Sequence, residues 1–158
     1  MRGVALIALA VLWGAATGAL AQGGTPLKPS PGDKCPVCGM FVAKYPDFLA
    51  RVTFKDGSQR YFDGVKDLMK YYLNLPKYEP GKGTEEMAAI LVTDYYSLKP
   101  LDAFQAYYVV GSDVYGPMGK ELIPLGSEPE AREFLKDHKG QAVLRFREIS
   151  GDLLKSLD

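Results

Sequence analysis

A charge excess of either sign is missing from this chain: nineteen basic residues balance nineteen acidic ones. With no basic run either, nucleic acid and anionic lipid surfaces drop out as expected partners. Histidine occurs once, at His138, so hydrolytic general-base schemes would rest on carboxylates alone. No P-loop, no GxGxxG and no local Ser/His/Asp motif is present, and no enzymatic activity is expected. Cysteine is almost absent as well. The two that occur, Cys35 and Cys38, are three positions apart. A disulfide there would close a tiny loop and add little stability, which leaves reactivity or ligation as the better reading.

The one long apolar run, Val4 to Trp13, follows Arg2 and precedes Ala19-Leu20-Ala21. That is the layout of a cleaved secretory signal, residues 1–21, and the run is short against the roughly 20 residues of a bilayer span. A periplasmic mature protein is expected, attached to a membrane only if the signal stays uncleaved. Residues 22–34, rich in Gly and Pro, read as a flexible linker.

Beyond the linker the pattern is α+β. Phe48 to Phe54 and Gln59 to Phe62 read as strands about an Asp56-Gly57 turn. Asp63 is placed to cap a helix carrying Val65, Leu68, Met69, Tyr72 and Leu73 at helical spacing, ending near Asn74 and Pro76. Ala88 to Tyr95 reads as a strand, which completes a ββαβ unit over 35–98. The order recurs over 99–150: a strand at Ala106 to Val110, a turn-rich stretch from Gly111 to Gly119, and a strand at Glu121 to Leu125. A helix with a Ser127…Glu130 capping box follows, stopped at Gly140, and Ala142 to Ile149 reads as the closing strand. The expectation is tandem ββαβ units with antiparallel sheets and a tail at 151–158; a single α+β domain fits the same pattern.

The chemistry concentrates in Cys35-Pro36-Val37-Cys38-Gly39-Met40. Two thiols and a thioether within six residues are soft donors, suited to Cu(I), and Gly39 gives the backbone freedom to turn. A further sulfur, Met118, lies on the glycine-rich turn Gly116-Pro117-Met118-Gly119, where no regular apolar face calls for core packing. The metal-ligand candidates are therefore Cys35, Cys38, Met40 and Met118. Each has a bland alternative: a surface disulfide for the cysteines, gap filling for Met40, a tolerated surface methionine for Met118. Zinc is disfavoured because four Cys or His ligands are wanted, His138 fits a helix C-terminus better, and carboxylates such as Asp33 would have to complete the set. A thioredoxin-like exchange motif would sit at a helix N-terminus after a strand, whereas this one follows a Pro/Gly linker.

Three separated motifs carry a family resemblance: Cys-Pro-Val-Cys-Gly-Met-Phe-Val at 35–42, the hairpin and helix start from Phe54-Lys55-Asp56-Gly57 through Tyr61-Phe62-Asp63-Gly64-Val65 to Leu68, and Tyr108-Val109-Val110-Gly111-Ser112 leading to Gly116-Pro117-Met118-Gly119. Together they resemble the NosL family, accessory proteins of nitrous oxide reductase assembly. The resemblance implies a Cu(I)-binding chaperone with a tandem ββαβ fold similar to the organomercurial lyase core. It implies a copper-acceptor enzyme as partner, nitrous oxide reductase first, together with a copper donor. Cys38, Met40 and Met118 fall on the copper-linked motifs. Many family members that serve nitrous oxide reductase are lipoproteins, whereas this signal ends Ala-Leu-Ala-Gln. The client is therefore open to another copper enzyme. Thiol–disulfide exchange through Cys35 and Cys38, or a non-catalytic interaction module, are the competing functions.

Overall fold

The computed structural model describes residues 26–158. The expected signal, 1–21, and the first linker residues lie outside them. From Leu27 to Asp33 the chain forms no strand or helix, and Lys34 makes an isolated antiparallel bridge with Phe41.

Two short 3-10 turns lead into β1 (Ala50–Phe54), which turns at Gly57 into β2 (Gln59–Phe62). Helix α1 (Val65–Leu73) and one helical turn, α2 (Leu75–Tyr78), cross over to β3 (Met87–Thr93), and β4 (Pro100–Asp102) completes the first sheet. The second sheet comprises β5 (Tyr107–Gly116), β6 (Gly119–Leu125) and, after helix α3 (Glu128–Asp137), β7 (Ala142–Arg145). Helix α4 (Gly151–Ser156) follows. All pairings are antiparallel. The orders are β2-β1-β3-β4 and β6-β5-β7, so both halves run central strand, neighbour, helix, opposite neighbour. The α+β fold with repeated ββαβ path is as the alternation and turn signals indicate.

Helix α1 is central because two layers bury it. Val65, Leu68 and Met69 point into the larger core with Val52, Phe54 and Phe62 of the first sheet, and with Leu122, Leu154 and Leu157 from the second half. The inward aromatic is Tyr71, fully buried, whereas Tyr72 is half-buried against Phe104 and Phe146, and Leu73 is exposed. Apolar spacing allowed either face, and Tyr71 wins because its hydroxyl reaches Glu79, which also pairs with Arg60. A smaller core of Val109, Ile123, Leu125, Ala131 and Phe134 lies under α3.

Several boundaries differ from the sequence reading. Strand β5 continues to Gly116 through a bulge, since Val110 faces Leu122 but Tyr115 already faces Lys120. The extra residues are held by Asp113 N–H donating to His138 O. What looked like a turn-rich stretch is therefore mostly strand, and Pro117 and Met118 form the hairpin tip. Pro117 cannot adopt the positive φ that tight hairpins favour, and Gly119 takes it instead, at 87°. At the end of α3 the left-handed position falls on Lys139 (φ 55°), one residue before the expected Gly140. Gly140 N–H closes the turn onto Leu135 O. Ala142 to Ile149 is strand only to Arg145, and residues 151–158 pack through α4 rather than trailing away.

Candidate metal centre

The Cys35–Met40 segment folds on itself as a knuckle. Cys35 N–H donates to Met40 O (2.9 Å) and Gly39 N–H donates back to Cys35 O (2.9 Å). Closing so small a loop requires a left-handed residue, which Gly39 supplies at φ 79°. Neither cysteine is in a disulfide, and the knuckle leads into a 3-10 turn rather than a helix.

The start of α1 lies against this knuckle. Cys38 Sγ donates to Asp63 Oδ1 (3.2 Å) and Cys35 Sγ donates to Asp67 Oδ2 (3.4 Å). The ligating atoms of Cys35, Cys38, Asp63 and Asp67 all lie within 4.8 Å of one another. Cys35, Asp63 and Asp67 are buried, and Cys38 is half-buried. Among the described residues, the second oxygen of Asp63 is buried with no hydrogen-bond partner. A buried carboxylate oxygen left unpaired is costly, so a cluster built this way suits an incoming cation.

Both thiols are protonated at neutral pH. Burial raises Cys35 far above an ordinary thiol, while the Cys38 and Val37 backbone amides act to lower it and the nearby Asp67 charge raises it further. Cys38 is pushed up to about 12, again chiefly by burial, with the Met40 amide acting in the opposite direction and the Asp67 and Asp63 carboxylates adding to the rise. The raised values oppose the exchange reading, since an exchange thiol needs a lowered pKa and access. The sulfurs wait as neutral thiols, each donating a hydrogen bond to one carboxylate.

An open cavity of about 460 Å³ gives access. Val37 and Cys38 line it from the knuckle, Lys66, Asp67 and Lys70 from α1, Met118 from the hairpin tip, and Asp158 from beyond α4. Met118 is 43% exposed, as its turn composition indicated. Three of the four sequence candidates thus fall on one site: Cys35 and Cys38 in the cluster, Met118 on the cavity wall. Met40 is half-buried and does not line the cavity; its carbonyl closes the knuckle. Asp33 is elsewhere, accepting from Ser30 N–H. His138 stacks on Phe134 and faces Asp113, away from the cysteines' partners.

Asp63 and Asp67 are the residues that sequence reading passed over. Asp63 does not cap α1: Gly64 occupies the N-cap and provides no side-chain cap. A signal was available, because carboxylates four apart across a helix start fall on one face, but nothing local said that the cysteines would meet that face.

A family model described as NosL matches residues 26–154. The chain belongs to the NosL family. Among its relatives is the copper-binding lipoprotein NosL of Stutzerimonas stutzeri, 29% identical over 137 residues. That alignment covers 78% of this chain and 65% of the relative, so the chain spans less than two thirds of that protein's length. The crystal structure of the copper chaperone NosL from Shewanella denitrificans superposes with a TM-score of 0.66 at 23% identity, covering 82% of this chain and 99% of that one. At that identity the likeness establishes the shared NosL fold. No helix among the described residues is long and apolar enough to cross a membrane.

Proposed function

We propose that this protein is an exported, non-enzymatic copper chaperone that takes up Cu(I) at Cys35 and Cys38 and passes it to a periplasmic copper enzyme, nitrous oxide reductase being the first candidate. The observation that carries the reading is the pairing of two thiols with two carboxylates in one cluster, of which Cys38 and Asp67 reach the wall of a cavity that the exposed Met118 also lines. Cu(I) as cargo prefers the sulfurs. On uptake each thiol loses its proton to Asp63 or Asp67, which relay it to solvent while the sulfur–copper bond forms. Met118 supplies the third sulfur, and Met40 serves chiefly through its backbone. A low-coordinate, accessible ion leaves by ligand exchange, with an acceptor's donor entering as Met118 departs. The names of the relatives and the secretory layout of residues 1–21 support copper as cargo and export as the route; a copper donor on the same side of the membrane follows from that route.

Because two protons leave, apparent Cu(I) affinity rises with pH, by roughly tenfold per pH unit for each thiol released. Competition with a Cu(I) chelator under reductant between pH 6 and 8 measures this. A pH-independent affinity contradicts thiol ligation. Oxidation of Cys35 and Cys38 to a disulfide is expected to abolish uptake.

One observation favours a second cargo. Asp63 and Asp67 complete the four-donor set that zinc wants, which Asp33 and His138 do not. Equilibrium dialysis against both ions in reductant separates the readings: copper is expected to displace zinc fully.

A further inference from the structure

The cavity wall contains a charged group that the copper chemistry does not use. Lys66, on α1 immediately before Asp67, is only 2% exposed. A buried ammonium must spend its donors on nearby acceptors. Its Nζ donates to Met118 O at the hairpin tip (2.9 Å) and to Leu157 O (3.2 Å), with Asp158 at 3.6 Å. Its backbone N–H donates to Glu121 Oε1 (2.6 Å), three residues beyond Met118 on β6.

Glu121 fits here because the two positions beside it carry no side chain. A Cβ on Gly64 would sit 2.1 Å from Glu121 Oε2, and one on Gly116 would sit 3.1 Å from its Cγ. Two glycines, one on each side, therefore admit the carboxylate, and Lys66 joins the same two elements from its backbone and from its ammonium. At the hairpin tip Pro117 is half-buried and donates no hydrogen bond, Met118 is exposed, and the Met118 carbonyl is where the Lys66 ammonium holds the tip to α1.

We infer that Lys66 is a positioning residue for the copper site: with Glu121 it locks the Pro117–Met118 tip to the start of α1, and so holds the Met118 thioether at the cavity shared with Cys38 and Asp67. The inference rests on the copper reading above and adds to it a residue that touches neither metal nor cysteine. Outer-shell partners of this kind typically change metal affinity by about 10–100-fold.

The test is a double-mutant cycle on Cu(I) affinity with Lys66→Leu and Met118→Leu in the reduced full-length protein, with X-ray absorption counting sulfur neighbours. Each single variant is expected to weaken binding about tenfold, the double variant no more than either single, and Lys66→Leu, which adds no sulfur, to show one fewer sulfur neighbour than the parent. Lys66→Arg, which keeps a cationic donor, is expected to restore both readouts. Should Lys66→Leu fail to fold, Lys66→Gln, polar but shorter, runs the same cycle. Fully additive losses, or an unchanged sulfur count, overturn the inference. If instead replacing both cysteines leaves the parent's Cu(I) affinity intact, it is the copper reading itself that falls.

Discussion

The two longest helices among the described residues, α1 and α3, start in opposite ways. In α3, Ser127 Oγ accepts from Glu130 N–H and donates to the Glu130 carboxylate, so the side-chain cap is made within four consecutive residues; Glu130 meets the Ser127 hydroxyl rather than its backbone N–H, so the expected capping box is only half formed. In α1 the N-cap is Gly64, which has no capping side chain, and the orphan N–H of Lys66 is satisfied by Glu121 from the other half of the chain. The preceding residue, Asp63, turns its carboxylate to Cys38. The two halves share one strand path, yet one helix start is self-contained and the other is assembled from three segments. Outsourcing the cap to Glu121 is what frees Asp63 for the sulfur site.

This contrast can be broken from either side. The largest effect is expected at Gly64→Ala. Its extended backbone suits any residue, so the cost is purely steric, a methyl driven into a buried carboxylate, on the order of 3 kcal/mol. Chemical denaturation measures it, and Gly126→Ala, the position matching Asp63 in the second half, meets nothing closer than the tip of the Asp94 side chain at 3.3 Å and is expected to cost far less.

Next comes the pH dependence of the borrowed cap. Burial raises Glu121 from 4.5 to about 7, against the lowering effect of the Leu122 and Lys66 amides and the Lys66 charge. The native state therefore holds a proton that the unfolded state has lost, and stability falls as pH rises from about 4.5 through about 7. Glu121→Gln keeps an acceptor for Lys66 N–H without the charge. It is expected to flatten that slope and to be the more stable form at pH 8, by on the order of 2 kcal/mol. Ser127→Ala, which removes the self-contained cap, is expected to cost about 1 kcal/mol with no effect on copper. Met40→Leu is expected to change Cu(I) affinity least, within a few-fold, against about tenfold for Met118→Leu.

Legibility in the sequence follows the same division. Alternation and turn residues located the strands, and the helix signals around Ser127 placed α3 because its determinants are local. Gly39 and Gly116-Pro117-Met118-Gly119 were readable as turns that present sulfur for the same reason. Asp63 was misread because an acidic residue before a helix ordinarily caps it, and only the packing of the knuckle on α1 shows otherwise. The roles of Asp67, Lys66 and Glu121 depend on segments more than thirty residues away, which no local pattern encodes. Lys139 took the left-handed position expected of Gly140 because the Gly140 amide is needed one residue later to reach Leu135 O.

In the function proposed above, copper is held by the two sulfurs that α1 brings against its carboxylates. Chelator competition for Cu(I) in reductant, comparing the parent with Cys35→Ser/Cys38→Ser and with a circular dichroism check of folding, tests it most directly. The prediction is a loss of affinity of at least a hundredfold in a variant that remains folded; a folded variant that binds Cu(I) as tightly as the parent would contradict it.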